Sequence, residues 1–216
     1  AVFIDEDQIA ALEARMDEKG YMEGRDMAST FNMLRANDLI WSFVVNNYLL
    51  GKEPFPFDLL YWNSDATRMP ATMHSFYLRK MYLENKLIEP GGITLDGVAL
   101  DLRKIKVPCY VISTQDDHIA PWKSTYAATQ LYKGPVKFVL SASGHIAGIV
   151  NPPGDSRRFH QISTIQPEDP FMDPDGWQAS AAHHDGSWWP CWQGWLEGHS
   201  TQRIPAREPG ETQGYP

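Results

Sequence analysis

The stretch that most constrains the fold of this chain is residues 107–148, which contain two short apolar runs. Residues 107–113 and 136–143 are short, largely apolar and contain β-branched side chains, a pattern typical of strands buried on both faces. Pro121 suits the first turn of a helix between them, and Gly134 suits the exit from that helix. The spacing therefore predicts a strand–helix–strand unit of a parallel sheet.

Polar side chains follow both predicted strands. Asp116 and Asp117 come after the first strand, and His145 follows the second one. In open parallel sheets, ligands and catalytic groups collect outside the carboxyl ends of the strands. An acid after one strand and a histidine after the next is the order in which an α/β-hydrolase carries the last two members of its triad. We identify the acid and the histidine in this chain, but not the nucleophile.

The Asp117–His145 pair has two interpretations. As a pair, the carboxylate would hold the imidazole, and such a tuned base typically contributes about 10²–10⁴ in rate. The alternative is two unrelated loop residues. Asp116 could replace Asp117 as the acid. His118 directly follows the acid, so we expect it to have a structural or gating role rather than a catalytic one.

Neither cysteine is a convincing nucleophile. Cys109 falls in the middle of the first strand, where burial raises the pKa of a thiol and makes it inert. Cys191 lies among tryptophans, and we interpret it as a packing residue. The nearest approach to a metal-ligand cluster, residues 183–185 (His-His-Asp), is better explained as a solvated helix end. We predict no metal site and no cofactor.

Composition excludes several classes of function. With 216 residues, of which 43% are hydrophobic, the chain can bury a substantial core. A formal net charge of −8 argues against a nucleic-acid or anionic-membrane surface. Two cysteines in a chain of this size fit a reducing, cytoplasmic setting. No apolar run approaches the roughly 18–20 residues that a transmembrane helix needs.

Five further helices are predicted from apolar spacing and stop signals. They cover residues 5–20, 39–50, 71–87, 177–184 and 187–198. The helix over 39–50 is apolar on nearly every side, so it is either deeply buried or covers an apolar surface. Residues 53–70 are irregular and rich in proline and aromatics, as in a lid. An Asp-Gly pair at 96–97 predicts a two-residue hairpin.

We divide the chain into four parts on these patterns. The first residues resemble a strand already in progress and lack an initiator methionine, so we expect the carboxyl-terminal part of a longer protein. The parts are the end of an amino-terminal core portion (1–24), an inserted cap or lid (25–105), a carboxyl-terminal α/β core (106–199) and a tail (200–216). The predicted fold class is α/β, with a mostly parallel sheet of the α/β-hydrolase type and an inserted cap subdomain.

Several long strings in the chain resemble the poly(3-hydroxyalkanoate) synthases, class I in particular, which build bacterial polyester granules. These aromatic-rich strings are far more specific than an acid and a histidine alone, and they extend over most of the chain. They are LRANDLIW at 34–41, PFDLLYWNSDAT at 56–67, FYLR at 76–79, DDHIAPW at 116–122, SGHIAGIVNPP at 143–153 and GSWWP at 186–190.

The resemblance implies a Cys-His-Asp triad in which Asp117 and His145 match the acid and the histidine. The family's cysteine lies in a G-x-C-x-G elbow upstream of these residues. Neither Cys109 nor Cys191 matches that motif, and the family usually has an acidic residue where Cys191 stands. The resemblance also implies an α/β-hydrolase core under a cap that helps to cover the site and takes part in dimerisation.

The implied activity is polymerisation of 3-hydroxyacyl-CoA, with 3-hydroxybutyryl-CoA as the expected monomer, into polyhydroxyalkanoate with release of CoA. The implied partners are this substrate, the growing polyester, a second copy of the chain and the surface of cytoplasmic polyhydroxyalkanoate granules. The chain alone, without a nucleophile, is expected to be inactive.

Two alternatives are open at this stage. A serine esterase or polyester depolymerase of the same fold would keep the acid and the histidine but use a serine elbow. A non-catalytic fragment would bind granules or dimerise through its apolar cap.

Overall fold

The computed structural model describes residues 4–34, 36–54, 65–154 and 157–206, and the chain forms two compact units, Ala1–Leu100 and Asp101–Pro216. Much of the predicted lid at 53–70 and of the tail at 200–216 lies outside the described residues. The boundary between the units falls at Leu100, near the predicted end of the cap. The four-part division stays a prediction.

The first helix of the first unit begins with a side-chain cap. Helix α1 covers Glu6–Asp17, and the side chain of Asp5 accepts a hydrogen bond from the Gln8 backbone N–H at 2.8 Å. Such a cap satisfies one of the N–H groups that the first turn of a helix leaves unpaired. Ile9 and Met16, one face of the helix, are buried.

The rest of the first unit is helical with two short strand pairs. Strand β1 (Tyr21–Met22) pairs antiparallel with β2 (Met69–Pro70), and β3 (Thr94–Leu95) pairs antiparallel with β4 (Val98–Ala99). The helical segments are α2 (Gly24–Leu34), π-helical turns at Asn37–Trp41 and Val44–Leu49, α3 (Ala71–Phe76) with its π-helical continuation Tyr77–Leu83, and a 3₁₀ turn at Lys86–Ile88.

Two sequence predictions in this unit have different outcomes. The hairpin is confirmed, because Asp96 and Gly97 both have positive φ (47° and 76°), as a two-residue turn of this kind requires. The helix predicted over 39–50 is present but not deeply buried. Several of its large apolar side chains are exposed, among them Trp41, Tyr48 and Leu49.

The second unit is built on one four-stranded sheet. Its strands are β5 (Cys109–Thr114), β6 (Val136–Ser141), β7 (Phe159–Ile165) and β8 (Ala182–Asp185), hydrogen-bonded in that order. Strands β5 and β6 are parallel, whereas β6–β7 and β7–β8 are antiparallel. The sheet is therefore mixed rather than mostly parallel.

Helices of the second unit pack on this sheet through aromatic side chains. They are α4 (Trp122–Tyr126), α5 (Ala128–Leu131), α6 (Pro174–Ser180) and α7 (Trp189–Gly198), with a 3₁₀ turn at Leu102–Lys104. Trp122, Tyr126, Phe138, Leu140 and Trp177 form the buried core. The ring of Phe138 meets that of Trp177 edge to face, with centroids 4.9 Å apart. Such pairs add to the stabilisation from apolar burial.

The helix predicted over 177–184 is wrong in its second half. It ends at Ser180, and residues 182–185 form strand β8, which pairs with β7. The pairing is non-local, so the helix-forming alanines at 181 and 182 do not decide the conformation. None of the helices in the described residues is both long enough and apolar enough to span a membrane.

Candidate active site

The candidate site lies where the two parallel strands of the sheet end. The backbone N–H of Gln115 donates to the carbonyl of Ser141 at 2.8 Å, and the N–H of Asp116 donates to that of Ser143 at 3.0 Å. Ser143 has a positive φ of 77°, which turns the chain sharply after β6. These bonds hold the two loops side by side, as expected for the carboxyl ends of adjacent parallel strands.

Asp117 and His145 meet across these loops. Nδ1 of His145 lies 2.8 Å from Oδ2 of Asp117. The Asp117 side chain is only 9% exposed, whereas that of His145 is 46% exposed. The carboxylate is therefore sheltered and the imidazole reaches solvent.

The other contacts of Asp117 hold it as a carboxylate. Its Oδ1 accepts the backbone N–H groups of Ile119 and Ala120, both at 2.9 Å, and Thr114 Oγ1 donates to Oδ2 at 3.3 Å. Burial acts to raise the pKa of Asp117. The hydrogen bonds from Ala120, His145 and Ile119 outweigh it, so the pKa lies below its usual value.

The charge of Asp117 determines the tautomer of a neutral His145. An ionised carboxylate can only accept hydrogen bonds, so Nδ1 must carry the proton that it donates. Nε2 is then the basic nitrogen, and it has no hydrogen-bond partner among the described residues. This is the arrangement in which a histidine can take a proton from a substrate or nucleophile.

The turn that carries His145 packs closely against the end of β5. A Cβ built on Gly148 would lie 2.3 Å from Cγ2 of Thr114 and 2.9 Å from the carbonyl oxygen of Ala142. Real Cβ atoms do not approach other atoms so closely. Glycine therefore lets the turn lie directly on the strand that leads to Asp117.

Two tryptophans at the start of α7 hold the same turn. This role was not predicted from the sequence. Nε1 of Trp188 donates to the carbonyl of Gly148 at 3.0 Å, and Nε1 of Trp189 donates to that of Ile149 at 2.9 Å. Trp188 is buried. The sequence shows an unusual Trp-Trp pair, but the carbonyls that the two side chains contact lie about 40 positions earlier, so the pair alone does not reveal its partners.

Asp116 and His118 flank Asp117 in sequence. Both are exposed, and it is Asp117 rather than Asp116 that contacts His145. Of the two positions that the sequence left open, Asp117 is the one whose carboxylate contacts the histidine.

The remaining candidates lie elsewhere in the second unit. Sγ of Cys109 is 3.4 Å from the carbonyl of Val107, and burial raises the pKa of this thiol. Sγ of Cys191, interpreted as a packing residue, lies 3.4 Å from Nε2 of His160. His183 and Asp185 are on strand β8, not at a helix end. The described residues contain no group of three or more metal-ligating side chains.

Comparison with known proteins gives consistent matches. The chain is 54% identical over 209 residues to a poly(3-hydroxyalkanoate) polymerase of Methylorubrum extorquens, covering 97% of this chain and 34% of that protein. It is 53% identical to the poly(3-hydroxyalkanoate) polymerase subunit PhaC of Rhizobium meliloti, over 97% of this chain and 33% of that protein. The corresponding subunit of Cupriavidus necator is 45% identical, over 95% of this chain and 35% of that protein.

The chain thus spans about a third of the length of the curated relatives that it matches. No protein-family model matches it.

Proposed function

Because the chain belongs to the poly(3-hydroxyalkanoate) polymerase family over nearly its whole length, we propose that it supplies the acid and the histidine of an acyltransferase active site. The observation that carries this proposal is the 2.8 Å contact between Asp117 and His145 at the ends of adjacent parallel strands. The reaction is the transfer of a 3-hydroxyacyl group from CoA to a growing polyester.

The first step needs a nucleophile from outside the 216 residues. A cysteine thiol gives its proton to Nε2 of His145, and its sulfur attacks the thioester carbonyl carbon. The carbon–sulfur bond to CoA breaks, and the departing CoA thiolate takes a proton. Asp117 keeps Nδ1 of His145 protonated and stabilises the imidazolium that forms.

The second step transfers the acyl group from the cysteine sulfur to the 3-hydroxyl oxygen of the next monomer. A carbon–oxygen bond forms, the carbon–sulfur bond to the cysteine breaks, and the proton that the hydroxyl loses passes through a base to the released cysteine thiolate. His145 is the base that the geometry favours, because its side chain is half exposed and its Nε2 has no partner among the described residues. Asp117 is turned toward Ile119, Ala120 and His145, so its oxygens are already occupied.

The finer architecture is part of the same proposal. We assign residues 106–199 to an α/β-hydrolase core and residues 25–105 to a cap that contributes to a homodimer. The mixed sheet with its strand-end dyad supports the first assignment, and the exposed apolar side chains of the helix over 37–49 support the second. The proposed location is the surface of polyhydroxyalkanoate granules in the cytoplasm.

The test replaces each member of the pair in a full-length polymerase that contains this segment. Asp117→Asn and His145→Ala should each lower CoA release from 3-hydroxybutyryl-CoA by at least roughly 10²-fold, the contribution expected of a positioned base. Near-normal polymerisation by either variant would refute the assignment.

The proposal also makes a statement about the isolated 216-residue chain. Without an external nucleophile it should release no CoA from 3-hydroxybutyryl-CoA. Steady release of CoA by the isolated chain would show that the nucleophile lies within these residues and would remove the need for an upstream cysteine.

A further inference from the structure

A second histidine in the sheet has an unexpected partner. His160, on β7, is only 1% exposed, and its Nδ1 lies 3.2 Å from the carbonyl oxygen of Gly186. A carbonyl can only accept, so Nδ1 carries the proton and Nε2 of the neutral ring is the acceptor. That nitrogen lies 3.4 Å from Sγ of Cys191, whose thiol is the donor.

Cys191 also lies at the start of a helix. Helix α7 begins at Trp189, so Cys191 is its third residue and lies in the first turn. The backbone N–H groups at a helix N-terminus carry a partial positive charge, which lowers the cost of a negative charge on sulfur. This effect is independent of the contact with His160.

The thiol lines an open groove. The groove has a volume of about 410 Å³, and its lining includes Lys137, Ser163, Thr164, His184, Cys191 and Trp195. A small polar reagent can therefore approach the sulfur from solvent.

We propose that Cys191 is an oxidation site for hydroperoxides, with His160 as the positioning residue whose Nε2 holds the thiol through a hydrogen bond. The sulfur attacks one peroxide oxygen, a sulfur–oxygen bond forms and the oxygen–oxygen bond breaks. Cysteine is oxidised to sulfenic acid, and hydrogen peroxide is reduced to water by the proton and the electron pair that sulfur supplies. The proposal does not depend on the polymerase activity.

Cys109 is the matched control that the chain itself provides. It is also partly buried, but its sulfur contacts a backbone carbonyl rather than an imidazole nitrogen, and burial raises the pKa of its thiol. A thiol in such surroundings is less reactive, because only the thiolate is strongly nucleophilic.

The experiment treats the full 216-residue chain with hydrogen peroxide, traps sulfenic acid with dimedone and measures each cysteine by peptide mass spectrometry. Cys191 should be labelled about ten times faster than Cys109. Equal rates, or faster labelling of Cys109, would overturn the proposal. This comparison uses only the unaltered chain, so it does not depend on whether any variant folds.

Three variants test whether the oxidation of Cys191 depends on His160 or only on the solvent exposure of the thiol. His160→Gln should reduce the labelling of Cys191 to the rate of Cys109, whereas His184→Gln, in the same groove, should leave it unchanged. Cys109→Ser should also leave it unchanged. Circular dichroism establishes that each variant is folded, and undiminished labelling in folded His160→Gln would refute the assigned role of His160.

Discussion

Two histidines in the second unit are held in the same way but by different groups. Nδ1 of His145 donates to the carboxylate of Asp117 at 2.8 Å, and Nδ1 of His160 donates to the carbonyl of Gly186 at 3.2 Å. The first ring is 46% exposed at a strand end, whereas the second is 1% exposed within the sheet. In both neutral rings Nδ1 carries the proton, so Nε2 is the basic nitrogen.

The two rings differ in how well their partners stabilise a positive charge on the imidazole. A carboxylate stabilises the imidazolium that forms when Nε2 takes a proton, so His145 suits repeated proton transfer. A neutral carbonyl gives less stabilisation, and burial lowers the pKa of His160. We therefore propose that His145 takes part in turnover, whereas His160 stabilises the structure and makes one contact with a thiol.

The largest expected effect is that replacing His160 lowers stability more than turnover, whereas replacing His145 lowers turnover more than stability. His160→Ala should lower the free energy of unfolding by about 2–4 kcal/mol, because it empties a buried site and leaves the Gly186 carbonyl without its donor. His145→Ala should lower it by about 1 kcal/mol or less, because the ring is half exposed.

Turnover should follow the opposite order. In a full-length polymerase that contains this segment, His145→Ala should abolish most CoA release, while folded His160→Ala should retain it. The checks are urea unfolding of the 216-residue chain and CoA release by the polymerase. Equal loss of turnover in both variants would contradict the distinction between the two histidines.

A smaller effect is expected at the turn that carries His145. Gly148→Ala should destabilise the chain by about 1–3 kcal/mol, because the new Cβ would overlap Thr114 and the Ala142 carbonyl. Gly144→Ala in the same turn is the control, since its Cβ would meet only the Asp116 carbonyl, at an ordinary 3.7 Å. Thermal melting that shows equal shifts for the two variants would contradict the proposed close packing.

The smallest expected effect concerns the pH range over which each side chain contributes to the free energy of unfolding. The pKa of His160 is lowered from its usual 6.5 by burial, so below about pH 6.5 the unfolded chain takes up a proton that the folded chain refuses. This contribution to stability is complete above that pH and declines as the pH falls. His160→Gln should therefore reduce the slope of the free energy of unfolding against pH between about pH 7 and pH 5.

Asp117 acts in the same direction at lower pH. Its pKa lies below the usual 3.8, so its contribution is present above that value and is lost as the pH falls through the folded-state pKa. Asp117→Asn should leave the slope between pH 7 and pH 5 unchanged. Urea unfolding across this range tests both variants, and a flattened slope in Asp117→Asn would contradict the assignment.

The sequence predicted the elements around Asp117 and His145 because their signals are local. The apolar runs at 107–113 and 136–143 became β5 and β6, and parallel pairing brings the loops after them to one edge of the sheet. The choice between Asp116 and Asp117 depends on side-chain direction after the strand. That direction is set by the N–H groups of Ile119 and Ala120, which apolar spacing does not reveal.

The second histidine could not be predicted because its neighbours are distant in sequence. Strand β7 carries the buried polar His160 among mixed side chains, which breaks the alternation that indicates a strand. Its partner β8 was predicted as helix because its pairing is non-local. Cys191 lies 31 positions after His160, and only α7 and the sheet together bring the two side chains into contact.

The most direct test of the central claim, that Asp117 and His145 act as one unit, is a double-mutant cycle on CoA release by a full-length polymerase. The single variants Asp117→Asn and His145→Ala are compared with the double variant. If the pair acts as a unit, the double variant loses little more than His145→Ala alone, because the carboxylate works only through the imidazole. Losses that multiply in the double variant would show that the two residues act independently and would contradict the account.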